Sequence, residues 1–260
     1  MSVLSELQRD EAARHLLAAR ASGRPGGRMP EAYRPQTPED AIAIQRRVQV
    51  ALRAATGGWK CSLPTAERPI SCAPIFSSTI HRSSPCAVLA RGLTVRIEPE
   101  IAFVLGRDLP PRGAPYAEAE VRAAIAEMRL VLELLDSRYA EPSVVSFPEL
   151  LADQINNQGL FVGPVVPDGL DAPLESFRVV IEDAGSTLYE CDGRHPDWDP
   201  LRPLVWLASF LASRGERLAS GQVVTTGSYA GALEVPLETP LRVRFGDLGS
   251  IAVQLVPAQR

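Results

Sequence analysis

Two textures of apolar spacing divide the chain. Near its start Leu4, Leu7, Ala12, Leu16 and Leu17 recur close to helical period, so residues 4 to 20 are expected as a helix. The stretch ASGRPGGRMPEAYRPQ that follows is rich in glycine, proline and arginine and reads as a loop. Thr37-Pro38-Glu39-Asp40 then opens a second helix. Thr37 can cap it, Pro38 suits its first turn, and the two acids complement its dipole. This helix is expected to reach about Ala55 and to stop at Gly57-Gly58.

From Trp59 onward, short apolar runs alternate with turns. TVRIEPEIAFVL (94–105) reads as a strand pair or one bulged strand, and RLVLELL (129–135) as a strand. LFVGPVV, FRVVIED, STLYECD, GQVVTTGSY, LRVRFGD and SIAVQLV are further strands. Residues 116 to 128 read as an acid- and alanine-rich helix, FPELLADQ as a helical turn, and the segment from Asp199 to Arg214 as a helix ended by Gly215. Regular strand–helix alternation is missing, which argues against a doubly wound sheet or a TIM barrel. The expected organisation is an N-terminal helical region, residues 1–57, and a mainly β domain, residues 58–260.

Composition narrows the function classes. The 260 residues carry a net charge of -4 with scattered arginines, which gives no footprint for nucleic acid. No run of about 18 apolar residues suggests a membrane span, and the acidic start does not read as a secretion signal. Four cysteines without metal-ligand spacing point to a reduced, cytoplasmic protein. Among 27 basic residues Lys60 is the single lysine. Lysine offers a compact charge with a tunable pKa that arginine lacks, so its retention here, unless chance, marks Lys60 as a candidate for chemistry.

The candidate chemistry lies in three acids. Glu98 and Glu100 are two apart, so on a strand they share one face, about 7 Å apart at ~3.4 Å per residue. Ile97, Ile101, Phe103 and Leu105 flank them, and like charges on an apolar strand call for a counter-ion. Pro99 between them removes a ladder donor and marks an edge or a bulge. Glu133, set among leucines, supplies a third carboxylate. An all-oxygen set suits magnesium, manganese or calcium rather than zinc. Pairing of the two acids with Arg96 on a solvated face is the alternative. Asp153, with Gln154 and Asn156-Asn157, is either a polar loop or a pocket lining. Thr225-Thr226-Gly227-Ser228 could let backbone amides approach an anion.

As an ordered set these motifs resemble the fumarylacetoacetate hydrolase superfamily, in its 2-oxopent-4-enoate hydratase and 4-oxalocrotonate decarboxylase branch. The residues that carry the resemblance are Gly58-Trp59-Lys60, IEPEIAFVL, LELLDSRY, LADQINNQGLFVG, DPLRPLVWLASFLASRGERLASGQVVTTGSYAG and RFGDLGSIAV, across residues 5 to 256. The resemblance implies an α+β fold, a mixed β-roll with a small N-terminal helical region. It implies Mg2+ or Mn2+ held by Glu98, Glu100 and Glu133, with Lys60 and Asp153 catalytic. It further implies that Thr226, Gly227 and Ser228 bind the substrate carboxylate; Arg138 and Tyr139 are substrate candidates by position. The segment after Lys60 is shorter than in typical hydratases, Ser62 replaces a glycine, and Gln154 replaces an asparagine.

The implied substrate is a small 2-oxo acid or its dienol, in aromatic catabolism. Hydration of 2-hydroxypenta-2,4-dienoate to 4-hydroxy-2-oxopentanoate is the first reading, and decarboxylation of 2-oxohex-3-enedioate the second. C–C hydrolysis of the acylpyruvate type lacks a visible histidine–glutamate pair. A non-catalytic partner subunit is the remaining alternative. A homo-oligomer, possibly in complex with a neighbouring pathway enzyme, is expected.

Overall fold

The computed structural model describes residues 3–167 and 169–258. Two helices lead the chain, α1 (Glu6–Ser22) and α2 (Pro38–Ala51). Ser5 and Gln8 form a reciprocal capping box at the start of α1, which ends on Gly23 in left-handed conformation. Thr37 caps α2 as its sequence suggests, but Asp40 does more than complement the dipole. It is fully buried, accepts from the Leu4 amide and pairs with Arg9 at 2.9 Å, tying the two helices together.

The remainder is strand-dominated. In order come β1 (Thr56–Cys61), β2 (Cys72–Phe76), β3 (Ile80–His81), β4 (Cys86–Val88), β5 (Thr94–Leu105), α3 (Glu118–Arg122) and β6 (Ile125–Leu135). Then follow α4 (Phe147–Ala152), β7 (Asn157–Val165), β8 (Ser176–Asp183), β9 (Ser186–Arg194), α5 (Leu201–Ser213), β10 (Val223–Thr225), β11 (Leu233–Pro236), β12 (Pro240–Phe245) and β13 (Ser250–Pro257). A mixed eight-stranded sheet runs β2-β1-β10-β5-β6-β7-β3, with β11 also paired to β5. A five-stranded sheet runs β4-β13-β12-β8-β9. This is the α+β, mixed-sheet architecture expected from the sequence. Both helices of the N-terminal region pack into the same apolar cluster as these sheets, through Ala12, Leu16, Ile44 and Val48. Among the described residues no helix is long and apolar enough to cross a membrane.

Several expected elements differ. Residues 116–128 form only one helical turn, because Ile125 to Met128 extend β6 and pair with Leu105 to Phe103 of β5. Long-range pairing there overrides local helix propensity. The GQVVTTGSY strand is confined to residues 223–225. Gly57 and Gly58 do not end α2 in a loop; they lie inside β1. A Cβ on Gly58 would stand 2.2 Å from the carbonyl oxygen of Val223, so β1 and β10 approach only because glycine is there. Gly58→Ala is therefore expected to cost about 3 kcal/mol or more by overpacking against backbone, read as a lower denaturant midpoint; an unchanged midpoint would contradict the close approach.

Candidate metal and proton-transfer site

Register pairing builds the site. Glu98 lies opposite Glu133, Glu100 opposite Val131, and Ala102 opposite both Arg129 and, on the other side, Thr225. Thr225 in turn lies opposite Lys60. Directly opposed residues project to the same face of a sheet. Lys60, Glu98, Glu100, Glu133 and Thr225 thus share one face. The same face carries a small apolar cluster of Ile75, Ala102, Val131, Leu160, Val162 and Val223. The polar groups sit against that cluster, and burial follows: Glu133 is fully buried, Glu100 nearly so and Glu98 partly.

Pro99 produces no bulge. It pairs in register with Leu132, and its missing N–H falls on the other side, where β10 and β11 leave β5 unpaired between them. The turn at 226–231 lies across this gap, with the Tyr229 amide donating to the Pro99 carbonyl at 3.2 Å. Proline thus marks an interrupted edge, which lets a loop rather than a strand approach Glu100.

One carboxylate oxygen from each of Glu98, Glu100 and Glu133 lies within 4.8 Å of the others. Lys60 Nζ donates to Glu133 Oε1 at 2.6 Å and to the Ile155 carbonyl at 3.2 Å. Asn157 Nδ2 donates to the same Glu133 oxygen at 2.9 Å. Glu133 Oε2 is buried with no hydrogen-bond partner among the described residues. Glu100 Oε2 accepts from the Thr225 hydroxyl and from the Gly227 amide at 3.0 Å. Three acids facing one lysine leave an excess of negative charge. Burial, then Glu133 and Glu98, push the Glu100 carboxyl up to about 8. Burial and Glu98 push Glu133 up to about 7, against the pull of Lys60. For Lys60, burial disfavours the ammonium, but Glu133, Glu98 and Glu100 outweigh it and raise its pKa. An orphaned buried carboxylate oxygen amid an all-oxygen donor set fits a hard divalent cation.

The turn Gln154–Asn156 delivers two of these contacts. Three consecutive non-glycine residues, Gln154, Ile155 and Asn156, have φ of 56°, 52° and 61°. A left-handed residue other than glycine costs roughly 1–2 kcal/mol, and such backbone persists where surrounding contacts enforce it. Here Gln154 Nε2 donates to the Pro74 carbonyl at 3.2 Å, and the Asn156 carbonyl accepts from the Asp136 amide at 2.9 Å. The turn aims the Ile155 carbonyl at Lys60 and Asn157 at Glu133. Ile155 did not stand out in the sequence, whereas Asn157 belongs to the polar cluster read there as a loop or a pocket lining.

The other expected residues are placed differently. Arg138 and Asp153 are buried against each other: the Arg138 amide donates to Asp153 Oδ2 at 2.9 Å, Nε to Oδ1, and Nη2 to the Asp153 carbonyl at 2.7 Å. They clamp the end of β6 to the end of α4, and neither side chain bonds the three glutamates. Tyr139 is buried beneath them. The Ser228 hydroxyl donates to the Pro99 carbonyl at 3.3 Å. The Thr226 hydroxyl is buried and unpartnered among the described residues. A cleft of about 730 Å3, lined by Phe177, Arg178, Glu190 and Arg244, lies on the second sheet and contains none of these groups.

The mixed-sheet fold, with converging acids on one sheet face, is similar to that of a solved fumarylacetoacetate hydrolase family protein from Yersinia pestis, with TM-score 0.56 at 15% identity over 78% of this chain and 93% of that one. In sequence the chain is similar to curated hydratases and decarboxylases. It is 26% identical over 264 residues to the 2-keto-4-pentenoate hydratase of Paraburkholderia xenovorans LB400, covering 95% of this chain and 94% of the relative. To a 4-oxalocrotonate decarboxylase of a Pseudomonas species it is 27% identical over 164 residues, 63% of this chain and 62% of the relative. The solved 4-oxalocrotonate decarboxylase of Pseudomonas putida G7, complexed with magnesium and adipate, superposes with TM-score 0.79 at 22% identity, covering 98% of this chain and 100% of that one. No family model matches the sequence.

Proposed function

We propose that this chain is a divalent-metal-dependent lyase that hydrates 2-hydroxypenta-2,4-dienoate, or a close 2-oxo acid, to the 4-hydroxy-2-oxo acid. The observation that carries the reading is the convergence of Glu98, Glu100 and Glu133 with the single lysine bonded to one of them. The three glutamates would hold Mg2+ or Mn2+. Bound there, the ion would act as a Lewis acid toward the oxygens of a 2-oxo acid.

The chain's own residues supply the rest. Asn157 and Lys60 hold one oxygen of Glu133 and leave the other free. Thr225 and Gly227 fix Glu100 through one oxygen. Lys60 Nζ is the mobile proton carrier, able to give or take a proton at the substrate carbon. The buried Thr226 hydroxyl is a free donor for a substrate oxygen. Arg138 and Asp153, bonded to each other, act by holding the loops that carry Ile155 and Asn157. Decarboxylation of 2-oxohex-3-enedioate is the second reading, favoured by the structural likeness to the decarboxylase. Hydration ranks first because the hydratase relative aligns over nearly the whole of both chains. Purified protein given the dienol with Mg2+ or Mn2+ should consume its absorbance without releasing carbon dioxide. Carbon dioxide release from the diacid would reverse the ranking, and activity indifferent to chelation would sink the metal reading.

The raised carboxyls set a pH dependence. A carboxyl whose folded pKa is raised keeps its proton when the unfolded chain has lost it. The metal-free protein therefore loses stability as pH rises from about 4.3 through about 7 and about 8 for Glu133 and Glu100. Lys60, also raised, loses its contribution only at higher pH and does not oppose this trend. A bound cation takes the place of those protons. The rise in Tm on adding Mn2+ should thus be larger at pH 8 than at pH 5.5; an equal rise would contradict proton–metal competition.

A further inference from the structure

The connection from β9 to α5 carries a buried histidine, His195, outside the three-glutamate cluster. His195 is 1% exposed, and its Nε2 has no hydrogen-bond partner of good geometry among the described residues. Its Nδ1 accepts from the Asp197 amide at 3.1 Å. Burial pushes its pKa down, so the ring is neutral, and an accepting Nδ1 places the proton on Nε2. The ring is held in place: the His195 amide donates to the Glu175 carbonyl at 2.9 Å, and Tyr229 stands edge-on at 5.3 Å.

The donor faces one peptide of the 226–231 turn. A Cβ on Gly227 would lie 3.4 Å from His195 Nε2 and 2.9 Å from Pro196 Cγ. Gly227 has φ of 134°, a conformation open to glycine. Gly227 shares a peptide with Thr226, and the carbonyl of that peptide is the group a ring N–H could meet. The amide of that same peptide, Gly227 N–H, donates to Glu100 Oε2 at 3.0 Å. In a trans peptide C=O and N–H point to opposite sides, so the unit that Glu100 holds by its N–H turns its C=O away from Glu100, and His195 Nε2 stands beside the same unit.

We propose that His195 is a positioning residue for the three-glutamate site, holding the carbonyl of the Thr226–Gly227 peptide so that its amide fixes Glu100. A carbonyl that accepts a hydrogen bond polarises its peptide and strengthens the bond its N–H donates. A buried N–H left unmet is costly, which favours closing this contact. With Oε2 of Glu100 occupied by Thr225 and Gly227, its other oxygen is the one free to serve an ion. The same connection reaches the exit of the lysine strand, since Asp197 Oδ2 accepts from the Leu63 amide at 3.1 Å. One loop thereby clasps the segment after Lys60 and the turn that holds Glu100.

The effect on ion affinity rests on the metal reading of the site; the hydrogen-bond chain does not, and the test separates them. In the wild-type protein, 15N NMR of the His195 ring should show the Nε2–H tautomer. His195→Gln keeps a donor near Nε2, and His195→Asn keeps only an acceptor near Nδ1. The Gly227 amide resonance should shift in His195→Asn and stay near its wild-type position in His195→Gln. Mn2+ affinity, followed by electron paramagnetic resonance, should fall about 10-fold or more in His195→Asn, the scale of losses for partners that orient metal ligands, and change less than threefold in His195→Gln. An Nδ1–H tautomer, or a Gly227 amide that responds alike in both variants, overturns the proposal. Tautomer and amide as expected in a wild type that binds no Mn2+ would uphold the hydrogen-bond chain and refute the metal reading.

Discussion

Glu133→Gln is expected to abolish divalent-ion binding and turnover together while leaving the fold intact. Glu133 is the hub of the site: fully buried, bonded to Lys60 at 2.6 Å and Asn157 at 2.9 Å, with its second oxygen free. Removing one partner of a buried ion pair commonly costs 3–5 kcal/mol because a charge is left uncompensated. Here Glu98 and Glu100 also raise the pKa of Lys60, so the ammonium keeps two carboxylates after the change. The substitution also removes like-charge repulsion from the cluster. The expected outcome is a loss of Mn2+ affinity of more than about 100-fold, at the upper end for altered metal shells, with circular dichroism and Tm close to wild type. Wild-type Mn2+ affinity in Glu133→Gln would remove the basis for the three-glutamate site.

Lys60→Arg should keep ion binding and lose catalysis. Arginine retains the positive charge that balances the glutamates, so Mn2+ affinity should stay within several-fold. A guanidinium has a pKa above 12 and cannot trade a proton near neutrality. In the metal-free chain the three acids hold the Lys60 pKa up against burial. Compensating their charge leaves burial, which pushes the pKa down toward the range useful for proton transfer. Turnover should fall about 100- to 10,000-fold, the usual contribution of a positioned acid or base. Full activity in Lys60→Arg would reduce the lysine to a charge-balancing role.

The two kinds of residue differ in how legible they were. The E-x-E pair and the lone lysine are local patterns, readable from strand period and composition alone. Glu133 stood out because a glutamate among leucines needs a partner. The role of Pro99 was half legible: its missing donor announced an edge, but only the interruption between β10 and β11 shows which neighbour is absent. Asn157 was legible only as part of a polar loop or pocket lining and Ile155 not at all, because their contacts depend on a left-handed turn held by long-range hydrogen bonding. His195 lies 95 residues from Glu100 in a segment with no motif, and only the close approach of Pro196 to Gly227 brings them into register. The helix expected over 116–128 failed for the same reason, since pairing with β5 outweighs alanine propensity.

The sequence by itself determined the alternation of strands, the helical start and the donor chemistry: three carboxylates of one hard type and a single titratable ammonium. These follow from side-chain period and residue identity, which are properties of short segments. The tertiary structure decided which faces meet. It set Glu98 opposite Glu133 and Lys60 opposite Thr225, closed Arg138 on Asp153 away from the glutamates, and wrapped the 226–231 turn around Glu100. Such choices are made by strand register and by the need to satisfy every buried polar group at once, which no local pattern encodes.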